Sequence, residues 1–137
     1  MKAFTSKMRA LAILQLFIGI GALAGGFGLI IDTTGASIGL NPDWLARSLF
    51  NSYLVPGLIL FVIIGMGHTI SGILTWKNYN KAGIIAAFLG FFLMLWIVAQ
   101  MIIIPFFWLQ PLYFVFGFTE VLLGVAVFLT GFTQTFA

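Results

Sequence analysis

Apolar residues fill four long segments of the chain, and shorter polar or aromatic segments separate them. The four apolar segments cover about residues 10–31, 53–76, 82–104 and 112–133. Each can cross a membrane, because about 20 residues of α-helix span a hydrocarbon core of roughly 30 Å. The connections are too short to hold a soluble domain. The pattern therefore predicts a single integral membrane domain over residues 1–137, folded as an all-α, antiparallel four-helix transmembrane bundle.

The first apolar segment also has features of a secretory signal peptide, because Lys2, Lys7 and Arg9 precede it. It runs for 22 residues, from Ala10 to Ile31, which is longer than the apolar region of a signal peptide. No small-x-small cleavage site precedes Asp32. We therefore interpret this segment as the first span.

The connection between the first two spans, residues 32–52, is the long polar one. Asn41, Pro42 and Asp43 have the residue types of an N-cap and the first turn of a helix, which predicts a short helix over about 42–50. Its apolar side would be made by Trp44, Leu45, Leu49 and Phe50. We expect this helix to lie flat on the membrane surface, with an ordered loop that merely covers the bundle as the alternative.

The fourth span carries a carboxylate in its middle, Glu120. Tyr113, Gly117, Glu120 and Gly124 share one helical face, and Gly131 continues it. Because small residues mark the faces along which membrane helices pack, Glu120 should point into protein and Gly124 should lie at a close helix crossing.

The second span repeats this spacing around its histidine. Gly65, His68 and Gly72 have the same separations as Gly117, Glu120 and Gly124, at an offset of 52 residues. We expect Gly65 to lie at a close crossing for the same reason. The first and third spans do not align at this offset, which argues against a duplicated hairpin.

Composition and charge agree with a membrane protein. Hydrophobic residues make up 62% of the chain and charged residues 7%, whereas a soluble domain carries about a quarter charged residues. The basic residues Lys2, Lys7, Arg9, Lys77 and Lys81 fall on one side of the predicted topology and Arg47 on the other. This bias predicts cytoplasmic termini in a cytoplasmic (inner) membrane, and it explains the basic charge without a nucleic-acid partner.

Depth along the predicted spans, at 1.5 Å per residue, separates the polar residues into two levels. The outer level holds Glu120, Gln100 and Tyr113, with a rim of Asp32, Tyr53 and Trp108. The inner level holds His68 and Gln15. The outer set is the candidate ligand pocket.

An acidic residue at mid-depth is costly and therefore a candidate functional residue, although a neutral Glu120 bonded to Gln100 or Tyr113 would be a structural alternative. His68 and Gln15 are more simply interpreted as hydrogen-bonding residues between helices.

Several segments together resemble a family of small bacterial four-span membrane proteins without an assigned activity: DTTGASIGLNPDWL, YLVPG, WIVAQ and WLQPLYF. Family members tend to have an Asp-Pro-x-Gly turn, and this chain retains Asp32 and Gly35 without the proline. The resemblance implies a family pattern made of Asp32, Gly35, Trp44, Tyr53, Pro56, Gln100, Trp108, Gln110, Pro111, Tyr113 and Glu120.

Three classes of function follow from these observations. The favoured class is a non-catalytic packing or accessory protein that associates with itself or with a larger membrane complex through unused glycine faces. The alternative is a binder or carrier of a small or lipophilic ligand, with or without a linked proton. An enzyme is least supported, because the sequence shows no catalytic pair. One histidine and no cysteine also predict no metal site, and we expect no cofactor.

Overall fold

The computed structural model describes residues 2–136, and it describes their side chains except those of residues 2–5, 47 and 131–136. Within these limits all regular structure is helical, and four helices are long and apolar enough to cross a membrane. They are Lys2–Ile31, Leu54–Trp76, Ala82–Ile103 and Leu109–Phe136. The predicted fold class is confirmed.

Two helix starts differ from the sequence prediction. The first helix begins at Lys2, about eight residues before its apolar segment. The fourth begins at Leu109, which brings Pro111 into its first turn. Proline is tolerated there because the first N–H groups of a helix have no partner within it. Each position along the fourth helix is therefore deeper in the bundle than the sequence suggested.

Consecutive helices run antiparallel, and each packs against the next and the last against the first. The closest packing joins the first helix to the second and the third to the fourth, so the bundle consists of two hairpins. We call the end that carries the connections 32–53 and 104–108 the loop end. The opposite end, with the 77–81 turn, is the terminal end.

Glycines bring the third and fourth helices into backbone contact. A Cβ added at Gly124 would lie 2.6 Å from the carbonyl oxygen of Gly83, and one added at Gly117 would lie 2.9 Å from that of Gly90. In the other hairpin, a Cβ at Gly65 would lie 2.9 Å from the backbone nitrogen of Leu23. The predicted close crossings at Gly65 and Gly124 are confirmed.

The second helix changes its hydrogen-bond pattern along its length. It is α-helical over Leu54–Leu58, π-helical over Ile59–Met66 and α-helical again over Gly67–Trp76. π-Helical segments are rare and are frequent at functional sites. This one ends two residues before His68.

The long connection is an ordered cap at the loop end. Asp32 accepts hydrogen bonds from the hydroxyl of Thr34 at 2.6 Å and from the backbone N–H of Ser37 at 3.0 Å. Gly35 has a φ of 77°, and an added Cβ would lie 2.9 Å from the ring of Tyr53. The buried Tyr53 in turn donates its hydroxyl hydrogen to the carbonyl of Asn41 at 2.7 Å.

The predicted short helix is present as a 3-10 helix over Pro42–Arg47, which is shorter than the expected 42–50. Its N-cap is confirmed, because the Asn41 side chain accepts a hydrogen bond from the N–H of Asp43 at 2.9 Å. Leu45 is buried against the bundle, whereas Leu49 is fully exposed. The connection therefore covers the loop end with part of its predicted apolar side.

Candidate polar network and ligand cavity

Glu120 and His68 form a buried pair on the axis of the bundle. Nε2 of His68 lies 2.8 Å from Oε1 of Glu120, and neither side chain is exposed. Nδ1 of His68 lies 2.7 Å from the carbonyl oxygen of Ile64, one turn earlier in the second helix. The pair joins the two hairpins, because the second and fourth helices belong to different ones.

This geometry fixes how many protons the pair holds. A carbonyl oxygen can only accept, so Nδ1 of His68 carries a hydrogen. The contact between Nε2 and Oε1 then needs one further proton, since with none it would join two acceptors and with two it would join two donors. The pair is therefore either a neutral glutamic acid with a neutral imidazole, or a carboxylate with an imidazolium.

Gln15 extends the pair into a network. Its amide nitrogen donates to Oε2 of Glu120 at 3.2 Å and to the hydroxyl of Ser71 at 2.7 Å. Its amide oxygen lies 2.7 Å from the hydroxyl of Thr75. That hydroxyl also lies 2.8 Å from the carbonyl of Ser71, so its single hydrogen is shared between two acceptors. All these side chains are buried.

Apolar clusters enclose the network at both ends. One cluster lies toward the terminal end and consists of Met8, Leu11, Ala82, Ala86 and Val127. The other lies toward the loop end and consists of Ile18, Ala22, Ile64, Leu93 and Ile97. In such surroundings hydrogen bonds are strong and an unpaired polar group is costly.

Beyond the second cluster, the loop end of the bundle contains a cavity of about 440 Å³. All four helices and the cap line it, mostly with apolar side chains such as Leu40, Leu60 and Ile103. Its volume is in the range of small-molecule sites. Ile18 and Ile64 separate it from the network, and Ile64 also supplies the carbonyl that His68 contacts.

The cavity has five polar or amphipathic lining residues: Tyr53, Trp96, Gln100, Gln110 and Tyr113. Two of their polar atoms are buried without a partner in the described part of the chain, Nε1 of Trp96 and Nε2 of Gln110. The other end of the Gln110 amide is occupied, because Oε1 accepts from the N–H of Phe107 at 3.1 Å.

The structure divides the predicted outer set. Gln100, Tyr113 and Tyr53 line the cavity. Asp32 lies outside it and organises the cap, and Trp108 is 63% exposed and also outside it.

Glu120 does not line the cavity either, and the expected bond to Gln100 or Tyr113 is wrong. From its start at Leu109, the fourth helix carries Glu120 about 17 Å inward, rather than the roughly 12 Å estimated from the sequence. At that depth its carboxylate oxygens meet His68 and Gln15, so the two predicted polar levels are joined through Glu120. The side chain of Arg47, the other partner considered, lies outside the described side chains, as does Gly131.

The sequence analysis missed four residues of these sites. Ser71 and Thr75 lie three and seven residues after His68, which places them on its helical face, and this spacing was a usable signal. Gln110 entered solely through the family resemblance, and nothing in the sequence showed that the donors of Gln110 and Trp96 would lack acceptors.

The described side chains include no group of three histidine, cysteine or acidic residues that could hold a metal ion. The arrangement can carry and relocate one proton within the pair, and it can enclose an apolar molecule in the cavity. In comparisons with known proteins, no family model, no curated protein and no solved structure matches the chain.

Proposed function

We propose that this small integral membrane protein binds a neutral lipophilic molecule in the cavity at its loop end. The observation that carries the proposal is the cavity itself, about 440 Å³ bounded by all four helices and the cap. Protein interiors are normally close-packed, so an unfilled volume of this size, with a few polar groups among apolar side chains, is typical of a binding site.

A packing or accessory role has less support. It relied on glycine faces left free for other proteins, and those glycines are used within the bundle: Gly83, Gly90, Gly117 and Gly124 inside one hairpin, and Gly19, Gly65 and Gly72 inside the other. Binding is also favoured over catalysis. Among the described side chains, those lining the cavity include no acid, base, histidine, serine or threonine.

The membrane and the orientation are part of the proposal. Five of the six basic residues lie in the sequence at the terminal end, which favours a cytoplasmic terminal end and a cavity that faces outside. Reporters that are active in the cytoplasm should work at either terminus and at Asn78, and should fail at Gly39. The opposite pattern would reverse the orientation.

Trp96 provides a direct test of binding. In a variant that keeps Trp96 and carries Trp44→Phe, Trp76→Phe and Trp108→Phe, 1-bromododecane should quench the indole fluorescence saturably in nanodiscs. A variant that keeps Trp108 alone should show non-saturable quenching, because that ring is 63% exposed at the surface.

A filled cavity provides the matched comparison. Ala99→Phe places a ring in the cavity and should abolish saturable quenching of Trp96, since Ala99 lines it. Ala24→Phe adds the same ring at an exposed position outside the cavity and should leave the quenching unchanged. Non-saturable quenching in the parent protein, or equal effects of both variants, would refute binding at this site.

A linked proton is a separable part of this proposal. Glu120→Gln keeps the shape of the side chain and can donate to a neutral His68 while it accepts from Gln15. If the pair is purely structural, this variant should fold normally and bind bromododecane with the same pH profile as the parent. A normal fold with a lost pH dependence would assign the pair to proton-linked binding.

A further inference from the structure

Two hydrogen-bond donors at the cavity wall constrain what the ligand must carry. The indole N–H of Trp96 can only donate, and it is buried without an acceptor in the described structure. The amide of Gln110 is 2% exposed, and its orientation is fixed because its oxygen must face the N–H of Phe107. Its nitrogen is therefore the free end, and this atom too lacks a partner.

Unpaired buried donors are rare in folded proteins, and each one invites an explanation. These two belong to residues of different helices that line the same cavity. The hydrogen bonds they lack are of one kind, since both need an acceptor and neither can use a donor. The missing partner must therefore supply oxygen or another acceptor atom inside an otherwise apolar space.

We infer that the ligand is a neutral lipophile whose polar group is a carbonyl, held by Nε2 of Gln110 and Nε1 of Trp96. This inference rests on the proposed function. A carbonyl group provides acceptor lone pairs without a donor, which matches the two free N–H groups. A charged head group is disfavoured, because the described lining offers no counter-charge. Quinones with alkyl tails and acyl-ester lipids share this chemistry.

Three tritiated molecules separate these possibilities in equilibrium binding to the purified protein in nanodiscs. Decylubiquinone carries ring carbonyls, dioctanoylglycerol carries ester carbonyls, and dodecylbenzene is a lipophile without a carbonyl. We expect at least one carbonyl compound to bind more tightly than dodecylbenzene, and the tighter of the two identifies the source of the carbonyl.

Two variants then test the donors. Trp96→Phe removes an N–H that the described protein leaves unpaired, so the fold loses no hydrogen bond, and Gln110→Met removes the amide at similar volume. Each should weaken binding of the preferred carbonyl compound about two- to tenfold and leave dodecylbenzene binding unchanged. Trp108→Phe, at an exposed position outside the cavity, is the control and should change neither.

The outcomes are distinct. A carbonyl preference that Trp96→Phe and Gln110→Met both reduce supports the inference. Equal binding of all three molecules, or a preference that survives in Trp96→Phe, overturns the inference while the cavity remains a binding site. Failure of all three to bind saturably overturns the proposed function, and the inference with it.

Discussion

The two hairpins of the bundle use one packing framework. In each, a glycine of the leading helix approaches a carbonyl of the following helix and a backbone nitrogen four residues later. The equivalent contacts are Gly19 with Gly65 and Thr69 in the first hairpin, and Gly90 with Gly117 and Val121 in the second. The leading-helix positions differ by 71 residues and the following-helix positions by 52.

The different shifts arise from the connections. The first hairpin is joined by residues 32–53 and the second by residues 104–108, so no single offset aligns both helices. The sequence argument against a repeat compared both helices at 52 and therefore does not hold. The longer connection also has a distinct role, because it caps the cavity.

The hairpins differ most in polarity. The first contributes four polar side chains to the network, and the second contributes one carboxyl group. The first set is Gln15, His68, Ser71 and Thr75, and the equivalent positions in the second hairpin hold Ala86, Glu120, Leu123 and Val127. A shared backbone framework thus supports a polar half and an apolar half, and they meet at the pair of His68 and Glu120.

Exchanging the two members of the pair tests the equivalence of the hairpins. His68→Glu alone opposes two carboxyl groups and should lower the free energy of unfolding by about 3–5 kcal/mol. Adding Glu120→His should recover about half of the loss, because a histidine at 120 can reach the carbonyl of Phe116 as His68 reaches that of Ile64. Unfolding in SDS, followed by circular dichroism, measures both. A double variant no more stable than His68→Glu would break the equivalence.

Glycine substitutions compare how tightly each hairpin is packed. Gly124→Ala drives a Cβ to 2.6 Å from a backbone oxygen and should cost about 1–3 kcal/mol in the same assay. Gly72→Ala meets mainly the movable end of Leu16, at 2.9 Å, and should cost less. Gly67→Ala is the control, since its Cβ would make an ordinary 3.4 Å contact with Leu89. Equal losses at Gly124 and Gly67 would exclude the backbone crossing.

The polar half can be weakened one hydrogen bond at a time. Thr75→Val keeps the side-chain shape but removes the hydroxyl beside Gln15, so it should destabilise the protein by about 1 kcal/mol. Thr119→Val, where the hydroxyl bonds its own helix at Val115, should have little effect. A silent Thr75→Val would mean that Gln15 is satisfied without it.

The cap should respond to acid before the bundle does. The hydroxyl of Thr34, followed by the N–H of Ser37, holds the pKa of the Asp32 carboxyl below its ordinary value. A lowered carboxyl pKa stabilises the cap at neutral pH and loses that contribution as the pH falls through the lowered value. Hydrogen exchange of residues 33–37 should therefore increase at low pH, whereas Asp32→Asn should exchange faster at neutral pH and show little further change. A parent cap insensitive to acid would contradict this role.

The sequence predicted the features that depend on local pattern: four apolar spans, the Asn41 cap and the glycine crossings at Gly65 and Gly124. It did not place Glu120, because depth was counted from a predicted helix start three residues too late. The shape of the cavity was not predictable either. It depends on how the cap and all four helices close over Gln110 and Trp96, which no single segment encodes.

The account is tested most directly by native mass spectrometry of protein extracted without delipidation. We expect one neutral lipophilic adduct per chain in the parent and in Ala24→Phe, and a lower occupancy in Ala99→Phe, which fills the cavity. An adduct of equal occupancy in all three proteins, or no adduct in the parent, would contradict the assignment of the loop-end cavity as a lipophile site.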